Sequence, residues 1–233
     1  MRHFLLSLFP GVGLLDMAFE RIGFCVVRGP DLLWGGDIHG FHPPAGRFDG
    51  VIGGPPCQAF SRLRHLVKHN GYELAANLIP EFERCVHEAA PAWFLMENVP
   101  DAPLPAIPGY MVDDVLVRDV WVGGYTTRLR CFSFGTRDGR RLAVKMQALH
   151  CMQPEPSVLA SGGARPVPVA IGGSSKVKRT FTDRHHATRK GASAMGFKTR
   201  AYFRDAVRLQ GLLEGWDLPG FTVAGKIKAL GNG

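Results

Sequence analysis

No run of about 18 consecutive apolar residues, the length that reads as a membrane-crossing helix, occurs in this 233-residue chain. The apolar start Phe4-Leu5-Leu6-Ser7-Leu8-Phe9 turns into Pro10-Gly11 too early for the core of a secretory leader, so the expected location is the cytoplasm. Cysteine is scarce: Cys25, Cys57, Cys85, Cys131 and Cys151 are odd in number and never form a C-x-x-C pair. That spacing excludes a disulfide framework and a zinc site, and it leaves reduced thiols available as nucleophiles. His185-His186 has no third ligand at suitable spacing, so no metal is expected. No internal repeat is found either.

Acidic residues are nearly missing from one segment. Between Thr136 and Arg200 there are thirteen Arg or Lys against three acids, so this block carries the whole excess of the net charge of +8. A positive block of that density fits a solvated surface or a phosphate-bearing partner.

What is present is alternation. A buried strand over Phe4 to Phe9, a glycine turn at Gly11-Val12-Gly13 and an apolar helix from Leu14 to Ile22 make the opening of a doubly wound sheet. Further strand-like runs at Gly23 to Val27, Phe48 to Ile52 and Trp93 to Met96 alternate with helical stretches such as Leu78 to Ala89, which predicts an α/β fold with a mostly parallel sheet. Runs at Val115 to Val122 and Cys131 to Phe134 close this first region, residues 1–135. From 136 to 200 Pro, Gly, Ser and basic residues dominate, as in a loop-rich module. Helical periodicity returns from Tyr202 to Leu213, within a final segment 201–233.

Four pieces carry chemistry. The turn Phe9-Pro10-Gly11-Val12-Gly13-Leu14 lets a nucleotide-like ligand approach the main chain at a helix N-terminus, and Gly36-Asp37-Ile38 offers a carboxylate for an adenine amino group with Ile38 to cover the ring. Gly53-Gly54-Pro55-Pro56-Cys57 fixes a rigid, exposed turn that ends on a thiol directly after a strand, a setting that an inert buried cysteine does not require. Glu97, in Met96-Glu97-Asn98-Val99-Pro100, stands at the carboxyl end of the next strand, where it can act as a general acid beside the thiol.

The ordered set F-P-G-V-G, G-D-I, G-P-P-C-Q-A-F-S, E-N-V-P, T-x-R-x-R, R-D-A-V-R-L-Q-G and G-N resembles the motif series of the cytosine-5 DNA methyltransferases and spans nearly the whole chain in that family's order. The resemblance implies a Rossmann-like class I fold. Residues 1–135 would form the catalytic and S-adenosylmethionine-binding domain, 136–200 a small basic target-recognition region, and 201–233 the return to the catalytic domain. It also implies that Cys57 adds to carbon-6 of a flipped cytosine, that Glu97 engages ring nitrogen 3, and that Arg128 and Arg130 hold the cytosine carbonyl and the Glu97 carboxylate. Cofactor contacts would come from Phe9, Gly11, Val12, Gly13, Leu14, Asp31, Asp37, Ile38, Pro56 and Asn232. Double-stranded DNA would be held by Gln58, Ser61, Arg62 and Arg64 in the catalytic loop and by Lys176, Lys178, Arg179, Arg184, Arg189 and Lys190 in the basic block. The implied protein is a monomer with no membrane partner, solitary or linked to a restriction endonuclease.

Three positions depart from the pattern. Arg28 follows the second strand where the family has an acid, which leaves Asp31 as the ribose ligand; Thr126 replaces the glutamine of the arginine motif. Gly231-Asn232-Gly233 begins the last motif without its Val-Pro, as in a short phage-type member truncated there. An RNA cytosine methyltransferase and a catalytically weakened DNA-binding relative share the same motifs. A cysteine hydrolase does not fit, because no histidine stands in a recognisable base position.

Overall fold

The computed structural model describes residues 3–57, 60, 76–124, 128–143 and 200–232. It divides into two compact units, Met1–Leu116 with Arg130–Lys145 and Gly233, and Val117–Leu129 with Met146–Asn232.

The first unit is built on a six-stranded sheet. Its strands are β1 (Phe4–Leu8), β2 (Cys25–Arg28), β3 (Gly50–Gly53), β4 (Trp93–Asn98), β5 (Met111–Arg118) and β6 (Leu129–Thr136), in the order β2-β1-β3-β4-β6-β5. The first four pair in parallel and β6 runs antiparallel to β4, with Glu97 opposite Phe132. This is the α/β, doubly wound, mostly parallel sheet expected from the alternation. β1, apart from Ser7, and β3 read as apolar runs because all their residues but Phe4 are buried on both faces.

Helix α1 (Leu14–Arg21) follows β1, with Gly13 before it in the left-handed region at φ 82°. Helix α2 (Ile79–Ala89) starts with a proline in its first turn, where the missing N–H costs nothing, and buries Ile79, Phe82, Cys85, Val86 and Ala89 at helical spacing. Those side chains meet Leu6, Leu8, Val51, Phe94 and Met96 of the sheet in one core cluster. Contact there leaves no room for a side chain at Gly53, whose added Cβ would lie 2.7 Å from the Leu8 carbonyl oxygen and 3.0 Å from the Phe82 ring.

In the second unit, α3 (Arg200–Leu209) and α4 (Val223–Asn232) pack together, with Phe203, Ala206, Val207, Leu218, Ile227, Ala229 and Leu230 buried. Gln210 Nε2 donates to the Leu230 carbonyl at 3.0 Å, and Lys226 pairs with Asp217 while lying over the Phe203 ring.

Three element boundaries differ from expectation. The strand expected over Val115 to Val122 begins earlier, at Met111, and its last four residues form a tight 3-10 turn closed by Gly123 at φ 88°. The helix expected to reach Leu213 stops at Leu209, where Gly211 turns to φ 68° and its N–H bonds back to Arg208. Helix α4 was not expected at all. The loop-rich block lies almost entirely outside the described residues.

Candidate active site

From β1 the chain crosses to β2 on one side of the sheet and later returns to β3 on the other, so the carboxyl ends of β1 and β3 bound a topological switch point. Phe9, Pro30, Asp31, Leu32, Gly36, Asp37, Ile38, His39, Pro56 and Leu78 line a cleft there. Five of the ten residues expected to contact the cofactor are among them: Phe9, Asp31, Asp37, Ile38 and Pro56. Gly11 borders the cleft through Asp31, whereas Val12, Gly13 and Leu14 continue the turn into α1 and do not line it.

The turn after β1 is held by several polar contacts. Phe9 adopts φ 55°, a conformation that costs a non-glycine residue about 1–3 kcal/mol and persists only where its surroundings enforce it. Asp31 supplies part of that enforcement: one carboxylate oxygen accepts the Gly11 N–H at 2.8 Å and the other the Leu33 N–H at 2.7 Å. Trp34 Nε1 donates to the Gly11 carbonyl at 2.7 Å. Asp31 is therefore first a clamp between two loops, with lone pairs left over toward the cleft.

Arg28 replaces the acid expected at the end of β2 for a reason visible in the packing. Asp16 on α1 is fully buried; it accepts Ser7 Oγ at 2.5 Å and Arg28 Nε at 2.8 Å. The cation at the strand end neutralises a carboxylate beneath the glycine turn. None of Ser7, Asp16 or Arg28 stood out in the sequence as a partner of the others, because they come from three different elements.

Asp37, mostly exposed, accepts from the His39 backbone N–H at 3.0 Å and pairs with His39 Nδ1 at 2.7 Å. The backbone hydrogen bond, and then the ring contact, hold its carboxyl below the usual carboxylate range. Ile38 is buried and belongs to both the cleft wall and the core.

Cys57 closes the Pro55-Pro56 turn after β3 and is half-buried. Asn98, buried at the end of β4, donates from Nδ2 to the Pro55 carbonyl at 3.2 Å and accepts the Val99 N–H at 2.8 Å, tying the proline turn to the neighbouring strand. Sequence reasoning gave Asn98 no role; its place beside Glu97 in E-N-V-P was the available signal. The Glu97 carboxylate lies above Gly54, where an added Cβ would come within 3.4 Å of Oε2. Arg130 Nε on β6 reaches Glu97 Oε1 at 2.7 Å, both side chains being largely buried. The site thus combines a thiol on a rigid turn with a carboxylate oriented by a guanidinium from an antiparallel strand.

Arg128 lies in the other unit and is half-buried. Asn232 ends α4, and its side chain is outside the described residues, as are Thr126 and all the DNA-contact candidates: Gln58, Ser61, Arg62, Arg64, Lys176, Lys178, Arg179, Arg184, Arg189 and Lys190. Among the described residues no group of three His, Cys, Asp or Glu side chains is placed to hold a metal, and no helix is long and apolar enough to cross a membrane.

Residues 36–103 match the family model of the C-5 cytosine-specific DNA methylases. That stretch contains Asp37, Cys57 and Glu97, and it bears out the methylase resemblance read from the motifs. The chain is 34% identical over 111 residues to the type II methyltransferase M.FnuDI of Fusobacterium nucleatum, covering 41% of this chain and 32% of that protein. To the type II methyltransferase M.HgiDI of Herpetosiphon aurantiacus it is 30% identical over 165 residues, covering 58% and 52%. The chain thus spans no more than 52% of the length of either relative. Two solved structures share the fold: Spodoptera frugiperda DNMT2, with TM-score 0.59 and 13% identity over 99% of this chain and 95% of that one, and S. pombe Dnmt2, with TM-score 0.56 and 13% identity over 100% and 94%.

Proposed function

We propose that this chain transfers a methyl group from S-adenosylmethionine to carbon-5 of a cytosine in double-stranded DNA. The observation that carries the reading is the Glu97–Arg130 pair at 2.7 Å at the carboxyl end of β4, next in the sheet to the strand whose turn presents Cys57. A neutral cytosine ring is a poor electrophile at carbon-6. Hydrogen bonding or proton transfer at ring nitrogen 3 by Glu97 lets the ring accept electrons, and Arg130 keeps that carboxylate oriented toward the ring. The Cys57 thiolate then bonds to carbon-6, and carbon-5 becomes nucleophilic. After transfer the carbon-5 proton leaves to a base, its electron pair re-forms the ring double bond and the carbon–sulfur bond breaks, which restores the Cys57 thiolate.

The cleft suits the methyl donor. Asp37 offers a carboxylate to an adenine amino group, Ile38 and Leu32 offer apolar cover for its ring, and Asp31 retains acceptor capacity for ribose hydroxyls. When bound there, S-adenosylmethionine supplies an electrophilic methyl group on a sulfonium. Arg128 is assigned to the cytosine carbonyl oxygen, and Gly11, Val12, Gly13, Leu14 and Asn232 to the remainder of the cofactor site. The target base must leave the duplex stack to reach Cys57, at a cost of a few kcal/mol. The basic block of residues 136–200 and the segment after Cys57 are assigned to the DNA contacts that offset this cost. A monomer acting on DNA in the bacterial or phage-infected cytoplasm, with or without a partner nuclease, completes the reading.

The deciding experiment offers a duplex carrying 5-fluorocytosine, together with S-adenosylmethionine, to the chain and to Cys57→Ser. A stable adduct is expected with the natural chain alone, while the variant keeps cofactor affinity within a few-fold. Bisulfite sequencing of DNA from expressing cells locates the target site, and a folded RNA substrate forms the control arm. If the natural chain never forms an adduct with duplex DNA, the proposal fails; adduct on RNA alone would transfer the chemistry to that polymer.

A further inference from the structure

The far wall of the cleft is a short strap, Asp37 to His42, that carries three lining residues, Asp37, Ile38 and His39. Within the strap the Phe41 N–H bonds to the Ile38 carbonyl and the His39 N–H to the Asp37 carboxylate; from α2, Cys85 Sγ approaches the Phe41 carbonyl at 3.9 Å and Arg84 reaches two of the strap's carbonyls. Arg84 Nη2 donates to the Ile38 carbonyl at 2.8 Å and Nη1 to the Phe41 carbonyl at 3.0 Å, across 46 and 43 positions of sequence. The same guanidinium is oriented by Glu81, reached by Nε at 2.9 Å and Nη2 at 2.8 Å, and by Glu88, reached by Nη1 at 2.8 Å. Four of those contacts are hydrogen bonds, the Nη2–Glu81 approach adds charge contact alone, and Nη1 also comes within 3.3 Å of His42 Nδ1.

An ion pair along an exposed helix face contributes only a few tenths of a kcal/mol, so Glu81, Arg84 and Glu88 alone would mean little. The two carbonyl contacts are different. They fix the level of Ile38, which faces both the core and the cleft, and therefore the position of Asp37 and His39 beside it. Lysine, with three donors on one nitrogen, cannot span both carbonyls and both carboxylates.

We infer that Arg84 is a positioning residue for the methyl donor: through the Ile38 and Phe41 carbonyls it holds the Asp37–His39 wall at the spacing the cofactor requires, without touching the reacting atoms. This rests on the cofactor reading of the cleft. Arg84 lies opposite the buried face of α2, so Arg84→Lys is expected to fold. The test measures S-adenosylhomocysteine binding by calorimetry and steady-state methylation with each substrate varied. In Arg84→Lys the Kd for S-adenosylhomocysteine and the KM for S-adenosylmethionine should rise about tenfold, while kcat at saturating cofactor and the KM for DNA stay within about twofold. Unchanged cofactor affinity, or a kcat that falls as far as kcat/KM, overturns the inference while leaving the cofactor site in place. A natural chain that binds no S-adenosylhomocysteine at all overturns both. Should Arg84→Lys fail to fold, Glu81→Gln, which weakens the grip on the guanidinium, is expected to give a smaller rise of about threefold, and no rise there refutes the role.

Discussion

Arg28→Met isolates the buried charge beneath the glycine turn. The substitution keeps an unbranched stem and removes the guanidinium, leaving Asp16, with no exposed surface, bonded to Ser7 alone. Breaking a buried ion pair by deleting one partner costs about 3–5 kcal/mol, because the other charge stays desolvated. Arg28 is half exposed, at 51%, so water already screens the pair, and a discounted loss of about 2–3 kcal/mol is the appropriate scale. For a chain of this size each kcal/mol moves Tm by about 2–4 °C, so thermal unfolding followed by circular dichroism should shift down by roughly 4–12 °C. Asp16→Asn removes the buried charge, so in Arg28→Met/Asp16→Asn the loss should be less than the two single losses added together. Strict additivity in this cycle, or a single-variant shift below about 1 °C, would refute the claim that Asp16 depends on Arg28.

Gly53→Ala forces a methyl group against the Leu8 carbonyl and the Phe82 ring and should lower urea stability by about 1–3 kcal/mol; an unchanged midpoint would mean that α2 can retreat from the sheet. Burial pushes the Cys85 thiol up to about 11, so native-state alkylation at pH 8 followed by mass spectrometry should find Cys57 modified well before Cys85, and equal rates would contradict that burial. The linked effect on stability has a definite sign: below an unfolded thiol pKa of about 8.5 the contribution of Cys85 is complete, and it is lost as pH rises through its folded value of about 11. Arg130→Met should lower kcat by about a hundredfold, with cofactor affinity unchanged; full activity would remove the guanidinium from the proposed chemistry.

The parallel core of the sheet was legible because its strands are short, apolar and separated by glycine or proline turns, as at Leu8 to Gly11 and Gly53 to Pro56. β5 was placed too late because Asp113-Asp114 reads as a turn; on the edge of the sheet, with its residues at most half-buried, a strand tolerates two acids. Helix α4 escaped notice because Gly225 and Gly231 dilute its pattern, and its packing against α3 supplies what local propensity does not. At the site, the places of Cys57 on the proline turn, Glu97 at the end of β4 and Asp37 at the cleft were visible, because each stands in a local motif. What stayed hidden is the pairing between elements: Asp16 with Arg28, Asn98 with Pro55, and Asp31 with Gly11. No spacing rule relates such pairs, because the fold alone brings them together.

The antiparallel placement of β6 against β4 has a consequence for biosynthesis. Arg130 leaves the ribosome after Glu97, with all of β5 in between, which at about 5–20 residues per second is an interval on the order of seconds. The strands that border the cleft, and α2 behind it, are translated before that interval begins. In the nascent chain the strands bordering the cleft can therefore pair while Glu97, at the neighbouring strand end, still awaits the cation that neutralises it.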